Sequence, residues 1–240
     1  ISKYYTIKRN YYKKHVENIE DTDKIKNYLK QYLKIKNKYL IVQDFNCDHD
    51  YENGLNGLIS YLKDNNINNI ITPYLKNYGI RKIKNKLKNI NIIHIPHHIK
   101  SEYFKNWSNE KKYDIFIFGN KSNNFYPFRY RLYNLLKKHQ EEFNIVFWEG
   151  FRNYFRFNQS ISNENLSKKI NNSWITICTS SKFNLLLGKY IETSMSGSVI
   201  CGDLPKDGTE IWNNDIIELK NNMSDDEILS IIKTNLSDKN

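Results

Sequence analysis

Apolar positions along the chain fall into two series in which short β-rich runs alternate with helix-spaced stripes. The leading segment places Ile25, Tyr28, Leu29, Tyr32 and Leu33 at the i, i+3, i+4, i+7, i+8 spacing of one helix face. A strand, Tyr39-Leu40-Ile41-Val42, follows, and then a helix with Leu55, Leu58, Ile59 and Leu62 on one side. Next come a strand at Ile70-Ile71 ended by Pro73, a basic helix over roughly Ile80 to Leu87, and the strand Ile92-Ile93-His94-Ile95 closed by Pro96. The stretch from His97 to Lys112 has no clean period. It separates this short series from a longer one.

The second series opens with the wholly apolar strand Ile115-Phe116-Ile117-Phe118, which turns at Gly119. A helix bearing Phe128, Leu132, Leu135 and Leu136 leads to the strand Ile145-Val146-Phe147-Trp148. A helix near Asn163 to Ile170 precedes the strand Trp174 to Cys178, and a helix from about Leu187 to Met195 precedes the strand Ser198 to Cys201. A strand is expected around Ile216-Ile217, and the last helix opens with Ser224 and Glu227 in capping-box spacing. Such alternation predicts an α/β fold with largely parallel sheets, divided into a reduced N-terminal lobe, residues 1–108, and a Rossmann-like C-terminal lobe, residues 109–240.

Composition adds limits. At 39% apolar and 14% aromatic residues, 240 residues hold enough core for one large or two small domains. Asn, Lys, Ile and Tyr are over-used and alanine is absent, a bias that AT-rich coding explains more simply than function. The formal charge of +11 suits anionic partners such as phosphorylated small molecules, a membrane surface or nucleic acid, but equally a solvated lysine-rich surface. Cys47, Cys178 and Cys201 form no C-x-x-C pair, so neither a zinc site nor a disulfide framework is indicated, and a cytoplasmic setting is expected. No apolar run approaches the roughly 20 residues that span a bilayer. Beginning at Ile1 rather than methionine, the chain is compatible with a piece cut from a longer protein.

The glycine fingerprints of P-loop and dinucleotide-binding proteins are absent, as are the H-E-x-x-H and G-x-S-x-G motifs. Attention therefore falls on strand-to-helix turns, where open α/β sheets bind ligands. In the first, Gly119 permits close backbone approach, while Lys121 and Arg129 offer positive charge beside a helix start. In the second, Thr179, Ser180 and Lys182 follow a strand and suit a diphosphate. In the third, Glu192 lies about one turn into a helix, where its carboxylate suits either the two hydroxyls of a ribose or the helix dipole. A fourth turn, Trp148-Glu149-Gly150, leads into Phe151, Arg152, Tyr154, Phe155, Arg156 and Phe157, a mixture fit for stacking on sugars or bases or for packing beneath a cleft.

The run Lys189-Tyr190-Ile191-Glu192-Thr193-Ser194-Met195-Ser196-Gly197 resembles the K/R-x-x-E-x-x-x-x-G segment of group 1 glycosyltransferases, especially their spore-maturation-protein-like branch. Tyr113 to Gly119, followed by Tyr126-Pro127-Phe128-Arg129, is similar to the opening of that branch's C-terminal domain, and Ile95-Pro96-His97-His98 leading into Phe104 to its interlobe crossing. The likeness covers roughly residues 92–236. It implies a GT-B fold of two Rossmann-like lobes with a cleft between them, and transfer of a monosaccharide from a nucleotide-diphosphate sugar to a hydroxyl of a glycan, lipid or protein.

On that reading Gly119, Lys121, Arg129, Thr179, Ser180, Lys182, Lys189, Tyr190 and Glu192 form the donor site, with His97 and His98 near the interlobe connection. Cations replace a metal, and no cofactor beyond the nucleotide sugar is implied. Asp44 is the first candidate base for the acceptor hydroxyl and His49 the second, although Asp44 also suits a turn after a strand. The first lobe departs from the family pattern, being short and lacking its glycine-rich loop. Two other readings stay open: a basic α/β module holding a polyanion, with nucleic acid the less favoured, and a non-catalytic GT-B-like domain of a larger glycosylation protein. Peripheral membrane contact is compatible with the charge.

Overall fold

A computed structural model describes residues 38–42, 53–148, 161–213 and 215–237. The leading helix, Asp44, His49 and the aromatic-arginine run after Gly150 lie outside these residues. The chain divides into two compact units, Ile1–Pro96 and His97–Asn240.

In the first unit β1 (Tyr39–Ile41), α1 (Gly54–Asp64), β2 (Asn69–Thr72), α2 (Tyr78–Lys86) and β3 (Asn91–His94) alternate as expected. The three strands pair in parallel in the order β1-β2-β3, with Leu40 opposite Ile70 and Ile70 opposite Ile92. Leu58 and Leu62 of α1, Ile70 of β2, and Ile80 and Ile83 of α2 are all buried. Helix α2 begins where the Asn77 side chain accepts the Ile80 N–H at 2.9 Å. Lys84 and Lys86 sit in its last turn, where positive charge complements the helix dipole.

The second unit contains β4 (Tyr113–Phe118), α3 (Pro127–Lys138), β5 (Ile145–Trp148), α4 (Asn163–Asn171), β6 (Ser173–Ile177), α5 (Gly188–Met195), β7 (Val199–Gly202), α6 (Thr209–Trp212), β8 (Ile217–Glu218) and α7 (Asp225–Ser237). All five strands run parallel in the order β5-β4-β6-β7-β8. The chain therefore steps from β4 to one side and then resumes on the other. That reversal makes the carboxyl ends of β4 and β6 a topological switch point.

Strand β4 reads as continuously apolar because both its faces are covered. Ile115 and Ile117 pack with Leu132 and Leu136 of α3 and Ile228 and Ile232 of α7. Phe116 and Phe118 face the other way, toward Phe104, Leu166 and Ile170. Phe104 is only 2% exposed there, so residues 97–108 group with the second unit, whereas the sequence pattern placed the division after residue 108. Helix α7 starts with the expected reciprocal cap. Ser224 N–H donates to Glu227 Oε2 at 2.6 Å and Glu227 N–H to Ser224 Oγ at 3.2 Å. No described helix is long and apolar enough to cross a membrane.

Candidate functional site

A bridge between the carboxyl ends of β4 and β6 needs a donor that reaches the terminal carbonyls of both strands. Lys189, in the first turn of α5, fills that role. Its Nζ donates to Phe118 O at 2.9 Å and to Ile177 O at 3.3 Å, the terminal residues of β4 and β6. Arg129, in the first turn of α3, makes the second bridge. It reaches Asn120 O just beyond β4 through Nη1 at 2.9 Å, and Thr179 just beyond β6 through Nε to Oγ1 at 3.1 Å and Nη2 to the carbonyl at 3.0 Å. Two cations thus staple the two sides of the switch point.

Both side chains are buried. Burial, and after it the neighbouring Arg129 guanidinium, pulls the Lys189 ammonium down from 10.5 to about 7. Burial likewise lowers Arg129, while Tyr126, Tyr190, Cys178 and Asp203 act in the opposite direction. Placing like charges together in a poorly hydrated pocket is costly, and an arriving anion offsets that cost.

Gly119 makes their convergence possible. Its φ of +96° lies in the region that glycine tolerates, and a Cβ there would come 3.2 Å from Arg129 Nη1 and 3.9 Å from Lys189 Nζ. The two cations accordingly flank bare backbone. Two helix starts border the same space, with Tyr126 and Arg129 at α3 and Gly188 and Lys189 at α5, and neither Tyr126 nor Leu187 provides a side-chain cap to the first-turn amides.

These groups open into a cavity of about 520 Å³ whose wall includes His97, Ile99, Gly119, Arg129, Trp148 and Lys189. Gly188 and Glu192 complete one side. Glu192 stands three residues after Lys189, hence on the same face of α5, and is 3% exposed. Gly188 keeps its approach open, because a Cβ at that position would lie 3.7 Å from Glu192 Oε1 and 3.5 Å from Ile99 Cδ1.

The remaining expected site residues are placed differently. Thr179 is fully buried and holds Arg129 rather than lining the cavity. Ser180 turns away to Asp203, donating its N–H to Oδ1 at 2.9 Å and its hydroxyl to Oδ2. Tyr190 is a core residue. Its ring is fully buried 6.0 Å from that of Trp212, and its hydroxyl donates to Asp203 O at 2.7 Å.

Lys121 lies over the Tyr133 ring at 4.2 Å and Lys182 over Phe125 at 4.9 Å, neither at the cavity wall. Long cationic stems can lie along aromatic faces in this way. His97 lines the cavity and His98 is exposed. Asn120, Ile99, Tyr126 and Asp203 carry roles that residue type alone did not signal, although Asp203 directly follows a strand-ending glycine.

No protein-family profile matches the chain. No curated protein matches it either. Among solved structures, it is similar to the pneumococcal O-GlcNAc transferase GtfA in complex with UDP and GlcNAc, with a TM-score of 0.51 and 12% identity over 83% of this chain and 45% of that one. It is also similar to sucrose-phosphate synthase from Thermosynechococcus elongatus, with a TM-score of 0.56 and 10% identity over 89% of this chain and 62% of that one. The chain therefore spans less than two thirds of either neighbour. At such identities the likeness concerns fold, and the fold is the α/β, parallel-sheet architecture of GT-B glycosyltransferases.

Proposed function

We propose that the chain is the donor-handling part of a nucleotide-sugar-dependent glycosyltransferase that works without a metal, within the group 1 type and its spore-maturation-protein-like branch. The observation that carries this reading is the pair Lys189 and Arg129, buried side by side at the switch point and facing a cavity with Glu192 on its wall. A diphosphate between them is bound by two cations and by the amides that open α3 and α5. Glu192 then accepts the ribose hydroxyls. The solved neighbour holding UDP and GlcNAc lends support through its shared fold.

Chemically, the bond between the sugar's anomeric carbon and the diphosphate oxygen breaks as the acceptor hydroxyl attacks that carbon, and the acceptor proton passes to a base. Negative charge grows on the departing nucleoside diphosphate. On this reading Lys189 and Arg129, held in place by the ends of β4 and β6, offset that charge with little rearrangement, the condition under which electrostatic stabilisation is strongest. Asp44, with His49 second, is the proposed base, and a glycan, lipid or protein hydroxyl the acceptor.

The test is a thermal-shift and calorimetric screen of the full chain against UDP, GDP, CDP, TDP and their sugars, with and without EDTA. One nucleotide that raises the unfolding temperature in EDTA supports the reading, since a ligand of the native state must stabilise it. Silence from all of them refutes it, and a rise that EDTA abolishes refutes its metal-free part. Glu192→Ala should weaken the selected nucleotide about tenfold or more, while the fold persists. Unchanged affinity would remove the ribose assignment.

A further inference from the structure

We infer that Asp203 is a positioning residue for the anion site, holding both of its cation-bearing elements from behind without touching the cavity. The inference rests on the nucleotide reading above and assigns it a residue that no sequence motif marked.

Asp203 follows Gly202, the last residue of β7. Gly202 has a φ of +153°, and a Cβ on it would fall 1.7 Å from Cys178 O. Only a residue without a side chain lets β7 leave the sheet so close to the end of β6. The register is set by Cys178 N–H donating to Cys201 O at 2.9 Å. This close pass brings the next residue beneath the turn that follows β6. There the Asp203 carboxylate accepts both the N–H and the hydroxyl of Ser180. Ser180 adjoins Thr179, which holds Arg129 through its hydroxyl and carbonyl oxygens. One arm of the network therefore ends on Arg129.

The other arm ends on Lys189. Tyr190, adjacent to Lys189 in α5, donates its hydroxyl to Asp203 O at 2.7 Å from a fully buried position. Rotation or translation of α5 would break that bond and move Lys189 and Glu192 together. Asp203 also contributes charge, since its carboxylate favours the protonated forms of both Lys189 and Arg129. The charged or titratable groups facing Lys189 are Arg129 from α3, Cys178 after β6, Glu192 from its own helix and Asp203 after β7. His97 shares the cavity wall.

The experiment measures nucleotide affinity by titration calorimetry between pH 6 and 9, using the nucleoside diphosphate that stabilises the wild type. Asp203→Asn keeps the shape of the side chain but loses its charge and one acceptor. It is expected to weaken binding about tenfold and to move the pH at which affinity falls to a lower value. Ser180→Ala, which removes one hydroxyl and leaves the charge, is expected to weaken binding less and not to move that pH. The two losses should combine non-additively, because they belong to one network. Wild-type affinity and an unshifted pH profile in Asp203→Asn, even with a lowered unfolding temperature, would reduce Asp203 to a turn former and overturn the inference. A wild type that binds none of the nucleotides would instead fail the functional reading itself, and the inference with it.

Discussion

Replacing Lys189 with methionine isolates the cost of the buried cation. An unfolded lysine keeps its proton up to 10.5, whereas Lys189 in the fold releases it through about 7. Between those values the unfolded lysine binds more protons than the native one, so the Lys189 contribution to stability rises with pH there and stays level below it. The slope approaches about 1.4 kcal/mol per pH unit above the native value and is half that at it, so the change between pH 7 and 9 is roughly 2 kcal/mol. Lys189→Met keeps a stem of similar length and removes the titration. It also deletes the donors to Phe118 O and Ile177 O, a loss that costs about 1–3 kcal/mol per orphaned group. That term does not follow the slope.

The expected signature is thus a change in the gap between the two proteins rather than a fixed gap. The variant should compare best near pH 6.5 and fall behind by about 2–3 kcal/mol more by pH 9. Urea unfolding followed by tryptophan fluorescence at half-unit steps measures it. Burial holds the Cys178 thiol up. Parallel stability curves for the two proteins would refute the account of Lys189 as a charge maintained against desolvation. The same physics has a ligand arm. A nucleotide sugar whose phosphates do not titrate in this range should draw nearly one proton into the wild type at pH 8, and none into the variant.

Two further outcomes concern the frame rather than the cavity. Gly202→Ala puts a Cβ 1.7 Å from Cys178 O, so one strand end must move, and a loss of at least about 3 kcal/mol or failure to recover folded protein is expected by denaturation. Recovery with wild-type stability would show that β7 does not pass so near β6. Ser224→Ala removes the hydroxyl that accepts Glu227 N–H and should cost about 1 kcal/mol, measured as a shift in the urea midpoint without change in nucleotide affinity.

How much of this was legible beforehand follows from the range of the forces involved. The apolar run of β4 and the stripes of α3 and α7 are local patterns, and each became the element its period predicts. The unit boundary was not local. Residues 97–112 are held by contacts with no period, among them Trp107 Nε1–H donating to Ser167 Oγ and Lys111 donating to Asn171 O. Tyr190 follows from helix geometry: Lys189 and Glu192 share a helix face at i, i+3, whereas Tyr190, about 100° around from Lys189, faces elsewhere and enters the core.

The cations carry the sharper lesson. Among 37 lysine and arginine residues, residue type distinguishes none, and Lys121 and Lys182 looked as suitable beside their turns as Arg129 did. What separates them is the order of the strands. β5 and β6 lie on opposite sides of β4, and the first turns of α3 and α5 carry Arg129 and Lys189 to the carbonyls at that reversal. Strand order arises from pairing across the whole sheet, with Ile115 beside both Ile145 and Ile175. A lysine-rich composition therefore does not mark out the proposed anion site, and substitutions that leave β4 and β6 paired but remove either Arg129 or Lys189 should abolish nucleotide binding while sparing the sheet.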